Sequence, residues 1–311
     1  MLRGGNAWWL CLLLLALAIP FQSVVYPVFI MKILCYALFA CAFNLLLGYA
    51  GLLSFGHAAF FGGASYATAY LCTTLGVGPL TGIAVGALVG VVLGTVVGAI
   101  AIRRSGIYFA MVTLALAQLI YFVALQAPFT GGEDGIQNIP RGHLFGLIDL
   151  SNDAAMYYLV LAISCGGFAL VQRVVNSPFG EVLTAIRDNE ARATSLGYRV
   201  NHYKLVAFVL SSGLAGLAGS TKALVFQVST LADVHWHASG EVVLMALLGG
   251  VGTLFGPIVG AGIVVTLQKY LSGAGSWSTV IIGLVFMACV LAFRRGIVGE
   301  IKAYFEQRAR R

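Results

Sequence analysis

Residues Leu80 to Arg104 read LTGIAVGALVGVVLGTVVGAIAIRR. The run is uncharged from Leu80 to Ile102 and closes on Arg103 and Arg104. As a helix it extends about 35 Å at 1.5 Å per residue, enough to cross the roughly 30 Å hydrocarbon core of a bilayer. It lacks the strict two-residue alternation of a membrane β-barrel strand, and a lone span in lipid must satisfy its backbone internally, so a helix is expected. Gly82, Gly86, Gly90, Gly94 and Gly98 recur every four residues, and Gly252, Gly256 and Gly260 repeat the pattern later. Small residues at that spacing form a groove in which another helix packs closely.

The rest of the chain is of one kind with this stretch. Of 311 residues, 60% are hydrophobic and 9% charged, with 39 glycines and 7 prolines. An average soluble domain is about 25% charged, so a water-soluble globule is excluded, and so is a disordered chain. The net charge of +7 therefore bears on membrane orientation rather than on nucleic acid. The six cysteines lie in apolar runs with no Cys-x-x-Cys pair, as small hydrophobes of helices do.

An all-α polytopic membrane protein follows, a single transmembrane domain over 1–311. Spans are expected at about 7–27, 28–50, 57–76, 80–102, 105–127, 154–172, 205–229, 240–250, 254–271 and 276–293. That is ten transmembrane segments, 240–250 and 254–271 being short enough to be half-length. Arg3 with the apolar run to Ala16-x-Ala18 resembles a cleavable leader, yet apolar character resumes at Val24 and the alternation works with it retained. Fourteen of the 18 Lys and Arg residues then fall on one side: Arg3, Arg103, Arg104, the 173–204 loop and the basic tail at 294–311. Glu133, Asp134, Asp149, Asp153 and Asp233 fall on the other. The positive-inside rule puts both termini in the cytoplasm, with 128–153 as the outer loop and 173–204 as the inner one.

Within the inner loop, Ser177 suits an N-cap and Pro178 the first helical position. One helix is expected from Phe179 to Leu196, with Gly197 at its C-terminal cap. Phe179, Val182, Leu183, Ile186 and Ala193 share an apolar stripe, and Glu181, Arg187, Asp188, Glu190 and Arg192 occupy the rest. Such a stripe on a water-exposed helix points to docking. A faint repeat relates two halves: Ser54-Phe55-Gly56 precedes Gly62, Tyr70 and Leu71 as Leu254-Phe255-Gly256 precedes Gly262, Tyr270 and Leu271. Duplicated halves are common in transporters, with the pathway at their interface. Polar groups inside spans are expensive and mark pathways, so Asn44, Ser54, His57 and Glu241 are the candidates for one. Lys222 and Lys269 are read as readily as snorkelling toward headgroups as serving a pathway, and His57 as a packing histidine ahead of a ligand. Gly216-Leu-Ala-Gly219-Ser220-Thr221-Lys222 lacks the order of a phosphate loop, and the glycines at 250–256 miss the dinucleotide fingerprint. No cofactor, metal site or catalytic constellation is expected.

Together these residues carry a resemblance. Gly48-Tyr-Ala-Gly51-Leu-Leu-Ser54-Phe-Gly56-His57-Ala-Ala-Phe60-Phe-Gly62 resembles the early signature of bacterial branched-chain amino acid ABC transporter permeases of the LivM type. Gly106-Ile-Tyr108-Phe-Ala-Met-Val-Thr113 and Thr130-Gly131-Gly132-x-Asp134-Gly135 resemble later blocks. Ser177-Pro178-Phe179-Gly180-x-x-Leu183-x-Ala185-Ile186-Arg187-Asp188-Asn189-Glu190 is similar to the family's ATPase-contacting segment. Glu241-x-x-Leu244-Met245 and Leu248 to Pro257 complete the match, in order from about 36 to 297. The resemblance implies a non-catalytic permease of the bacterial inner membrane. It implies a second LivH-like permease, two ATP-binding subunits and a periplasmic amino-acid-binding protein as partners. Phe179, Gly180, Leu183, Ile186, Arg187, Asp188 and Glu190 would couple it to the ATPases. The chain departs from the family at Phe293-Arg294-Arg295-Gly296, which lacks a proline, at Phe226-Gln227-Val-Ser229-Thr230, and at Lys222. The last two lie near the outer mouth, so sister importers for urea, short amides or aromatic acids stand as alternatives. A secondary transporter would need intramembrane carboxylates, of which Glu241 is the one candidate.

Overall fold

The computed structural model describes residues 26–144, 148–271, 273, 277–292 and 296–300. The expected first span, 7–27, and most of the basic tail lie outside these residues. The chain is an all-α membrane protein. Five helices have the length and hydropathy to cross a bilayer, the first counted together with the wider turn that continues it.

Pro27 opens α1, Pro27–Asn44, which widens into a π-helical turn at Leu45–Tyr49. Gly51, at φ +70°, then takes the backbone out of the helix, and residues 51–54 run irregularly to α2, His57–Thr74. Helices α3, Pro79–Ala101, and α4, Ile107–Gln126, follow. After the 127–152 loop come α5, Asp153–Val175, the short pair α6, Pro178–Asp188, and α7, Glu190–Ser195, and the long α8, Val200–Phe226. Helices α9, Trp236–Gly249, α10, Gly256–Leu271, and α11, Trp277–Ala292, complete the described chain.

Helix α8 is central, packed against α1, α2 and α3. The glycine row of α3 is what admits it. A Cβ at Gly90 would meet Ser212 and Gly216, one at Gly94 would meet Ser212, and one at Gly98 would meet Phe208. The close packing expected of that row is therefore internal to the chain. The opposite faces of α3 and α4 expose Val85, Leu88, Val92, Val96, Ile100, Met111, Leu119 and Phe122, a surface suited to lipid. At the other side of the body, α1, α9 and α10 pack on one another.

Arg103 and Arg104 follow α3, Arg173 lies in the last turn of α5, Arg187 in α6 and Arg199 just before α8, and this end of those helices is hereafter the basic end. The other, acidic end carries the 127–152 loop. Arg141 clasps that loop to the body, donating to Asp153 at 2.7 Å, to the Val225 carbonyl at 2.8 Å and to the Leu224 carbonyl at 3.3 Å. Two tiny antiparallel pairs stiffen the same end: β1, Ile136–Gln137, with β4, Val228–Ser229, and β2, His143–Leu144, with β3, Ile148–Asp149.

Three expectations are corrected. The inner-loop helix is two helices, because Asn189 is extended (φ −159°, ψ 99°) and its side chain caps α7 at the Arg192 amide. Ser177 does not cap α6 with its side chain, which donates instead to the Val174 carbonyl. Helix α8 begins five residues before its apolar run, since Lys204 is buried and paired with Glu190 at 2.8 Å.

Candidate functional site

The π-helical turn Leu45–Tyr49 and the irregular loop 250–255 meet, and Asn44 ties the end of α1 to that loop. Its amide nitrogen donates to the Thr253 carbonyl at 2.9 Å and its Oδ1 accepts from the Gly252 amide at 3.0 Å. The approach is so close that a Cβ on Gly48 would lie 2.6 Å from both the Gly252 nitrogen and Asn44 Oδ1. Only a residue without a side chain fits there.

Arg187, the last basic residue of α6, enters the same junction. Its Nη1 donates to the Gly48 carbonyl, while Nη2 and Nε hold Asp188 Oδ1 at 3.0 and 3.2 Å. Its side chain covers Gly51, and Nη1 lies 3.7 Å from where a Gly252 Cβ would stand. Arg187 thus bonds the π-helical turn and lies beside both Gly51 and Gly252. Its fork of fixed donors suits such a multi-point contact.

The apolar stripe of α6 faces this chain. Leu183 is 0% and Ile186 2% exposed, Leu183 within the main core and Ile186 in a small cluster with Ala193 and Val200. Phe179 stacks on Tyr203 at 5.6 Å, and Gly180 lies against the carbonyls of Val174 and Val175. These anchors, expected to meet a partner, hold α6 to its own body. The open surface of α6, α7 and the turn that follows includes Glu181, Ala185, part of Arg187, Asp188, Glu190, Arg192 and Leu196, the last 71% exposed.

Ser54 and His57 are buried at the head of α2. Ser54 Oγ accepts from the Gly56 amide at 3.2 Å. His57 Nε2 meets Ser211 Oγ at 2.8 Å, and Ser211 in turn donates to the Ala42 carbonyl. The imidazole stands edge-on to Phe43, Phe60 and Phe208 at 5.2, 5.7 and 6.0 Å. Its Nδ1 has no partner among the described residues. His57 is thus a packing histidine tying α1, α2 and α8.

A second polar group lies toward the acidic end. Lys222 and Asp233, both buried, pair at 2.6 Å, and Asp233 also accepts from the Thr230 amide at 3.2 Å. Lys222 therefore does not snorkel. Asp233 is folded inward, its segment lying against Gly62 of α2. Glu241 of α9 is half-buried on a helix that packs against α1 and α10.

With this geometry in view, similarity to known proteins is informative. Residues 28–290 match the family described as branched-chain amino acid transport system / permease component, and the chain belongs to that family. The high-affinity branched-chain amino acid transport system permease protein LivM of Escherichia coli (strain K12) is 26% identical over 311 residues, covering 92% of this chain and 73% of that protein. LivM of Salmonella typhimurium is also 26% identical, over 93% of this chain and 74% of its own length. The autoinducer 2 import system permease LsrC of Klebsiella pneumoniae is 28% identical over 60% of this chain and 56% of its own length. No solved structure matches the chain significantly.

Proposed function

We propose that this chain is the non-catalytic permease of an ATP-driven importer in a bacterial inner membrane, moving branched-chain or related hydrophobic amino acids inward. A second permease completes the pathway, two ATP-binding subunits work at the basic end, and a periplasmic binding protein delivers substrate at the acidic end. The likeness to LivM favours these amino acids, while the likeness to LsrC is a reminder that related permeases carry other cargo. Ten segments, cytoplasmic termini and an outer 128–153 loop belong to this reading.

The observation that carries it is Arg187. A helix exposed at the basic end inserts its guanidinium into the junction of two discontinuous membrane segments. Non-helical backbone at membrane depth is tolerated where it is buried or lines a cavity, and it is where transporters rearrange. Movement of α6 by an ATPase would be delivered to both loops at once, as a rigid-body step. The open face of α6 and α7, with Glu181, Asp188, Glu190, Arg192 and Leu196, is the docking surface. Asn44, Ser54 and His57 serve the hinge rather than the substrate, and Glu241 remains a pathway residue.

The test is reconstitution of the chain with its partner subunits in proteoliposomes. ATP-dependent leucine uptake that requires the binding protein is expected. Uptake of urea or an amide in place of leucine would move the protein to a sister system, and uptake driven by an ion gradient without ATP would end the reading.

A further inference from the structure

Between α8 and α9 the chain forms a strap, residues 227–235, that turns back along α2. Its course is fixed by direct contacts. Ser65 Oγ donates to Ser229 Oγ at 2.8 Å. Further on, Asp233 and Val234 occupy the space left by the missing side chain of Gly62, where a Cβ would strike the Val234 methyl. Just past the strap, Ser239 Oγ accepts from the Ala58 amide at 2.9 Å. The strap therefore runs antiparallel to α2, from the middle of that helix to its head.

Much of what holds it is polar. Lys222 donates to Asp233 at 2.6 Å, and the Thr230 amide and hydroxyl both donate to the same carboxylate oxygen, at 3.2 and 3.3 Å. Lys222, Asp233, Ser65 and Ser229 are all buried. A buried ion pair adds little net stability over an apolar pair of the same shape, and its best-attested use is to set a register or a switch. Tyr66 shares an apolar cluster with Leu231 and Val234 of the strap. Its hydroxyl is buried with no hydrogen-bond partner among the described residues. An unpaired buried hydroxyl is a standing cost of the shut arrangement, and water would relieve it once the strap moved away.

The strap is also joined to an exposed turn. Val228 and Ser229 pair as β4 with Gln137 and Ile136 of β1, and the Ile139 amide donates to the Gln227 carbonyl at 3.1 Å. Gln227 itself is left-handed, at φ +55°, an uncommon setting for a residue with a side chain. Gly135, at φ +67°, lies so close to the Ser229 carbonyl that a Cβ would strike it. The turn that Gly135 closes presents Glu133 and Asp134, both exposed. Displacement of that turn reaches Ser229 directly, and along the strap it reaches the buried ion pair.

We propose that residues 227–235 are a gate. They lie shut along α2 in this structure, latched by Lys222–Asp233 and Ser65–Ser229, and they swing off α2 in each transport cycle when a partner displaces the 131–135 turn. Hinged movement of a short segment about a few residues is one of the standard ways such a transition is built. The inference rests on the importer reading for the partner that displaces the turn, while the latch itself is independent of the cargo.

Two thiol experiments on the whole reconstituted complex test it, with the unaltered chain and its six cysteines as the control. In the first, Val234→Cys is treated with a charged methanethiosulfonate. A gate open at rest for about 10% of the time or less should be labelled about tenfold faster when binding protein, leucine and ATP drive turnover. Adding Lys222→Met together with Asp233→Asn, which removes the ion pair without stranding a charge, should raise the resting rate toward that value. In the second, Ser65→Cys with Ser229→Cys is oxidised to pin the strap to α2, and leucine uptake should be lost and should return on reduction. Labelling at 234 that is equal at rest and in turnover would overturn the gate, as would full uptake by the cross-linked complex. A resting rate unchanged by the paired substitution would overturn the latch. Should the two cysteines not bridge, or either variant not assemble, the other experiment decides. Failure of the unaltered complex to import leucine would fell the importer reading. Labelling at 234 that still rises with ATP would then keep the gate for another cargo, and labelling that does not would overturn it as well.

Discussion

Asn44 shows how one polar side chain in a span differs from its neighbours. Both ends of its amide are used, and they hold a loop 208 residues away in sequence. Asn44→Ala leaves a buried amide and a carbonyl unmatched, a cost of about 1–3 kcal/mol for each group. A drop in thermal unfolding temperature of the detergent-purified complex should register it, and an unchanged temperature would show the loops to be held by something else. Lys222 and Asp233 make a second residue-scale case. Lys222→Met strands a buried carboxylate and should destabilise by about 3–5 kcal/mol. The double variant with Asp233→Asn should recover much of that stability, and additive losses in the cycle would deny the pair its coupling. Asn44 stood out in the sequence as a polar residue in an apolar run. Its role did not, because the Gly252 and Thr253 partners are supplied only by the fold. Lys222 looked like an outward-reaching lysine for the same reason, as Asp233 appeared to sit in a water-facing loop.

At the scale of elements, hydropathy revealed the five described helices long and apolar enough to cross a membrane, since lipid demands long uncharged runs and those are visible without a fold. The errors fall where charge is compensated inside. Lys204 belongs to α8 because Glu190 neutralises it. The break at Asn189 was hidden because neither glycine nor proline marks it, and an asparagine capping the next helix does the same work. The stripe on α6 was legible as apolar, but periodicity says only that a face is covered, not by which chain. Leu183→Asp is therefore expected to destabilise this chain itself, since the side chain is fully buried. Leu196→Asp should leave folding intact and reduce co-purification of the ATP-binding subunits. The reverse pattern, with Leu183→Asp folded and Leu196→Asp fully assembled, would restore the stripe as the docking face. Gly48→Ala belongs to this scale as well. A methyl there meets the Gly252 backbone, so the turn and the 250–255 loop must part and transport should be lost at normal abundance in the membrane.

For the whole molecule, the sequence predicts that basic residues lie on one side of the membrane and the acidic 128–153 loop on the other. Reporter fusions at Gly142 and Asn189 should report opposite compartments, and a shared compartment would invert or break the scheme. The central claim is mechanical: force arriving at α6 passes through Arg187 to two loops at once. The direct measurement is the number of leucine molecules imported per ATP hydrolysed by the reconstituted complex carrying Arg187→Ala. Its Gly48 contact is worth about 1.5–3 kcal/mol as a charged hydrogen bond, and its loss leaves ATPase docking to the rest of α6 and α7 in place. The prediction is sustained ATP hydrolysis with leucine import reduced about tenfold or more, so that the ratio collapses. An unchanged ratio, with both rates at the level of the unaltered complex, would contradict it.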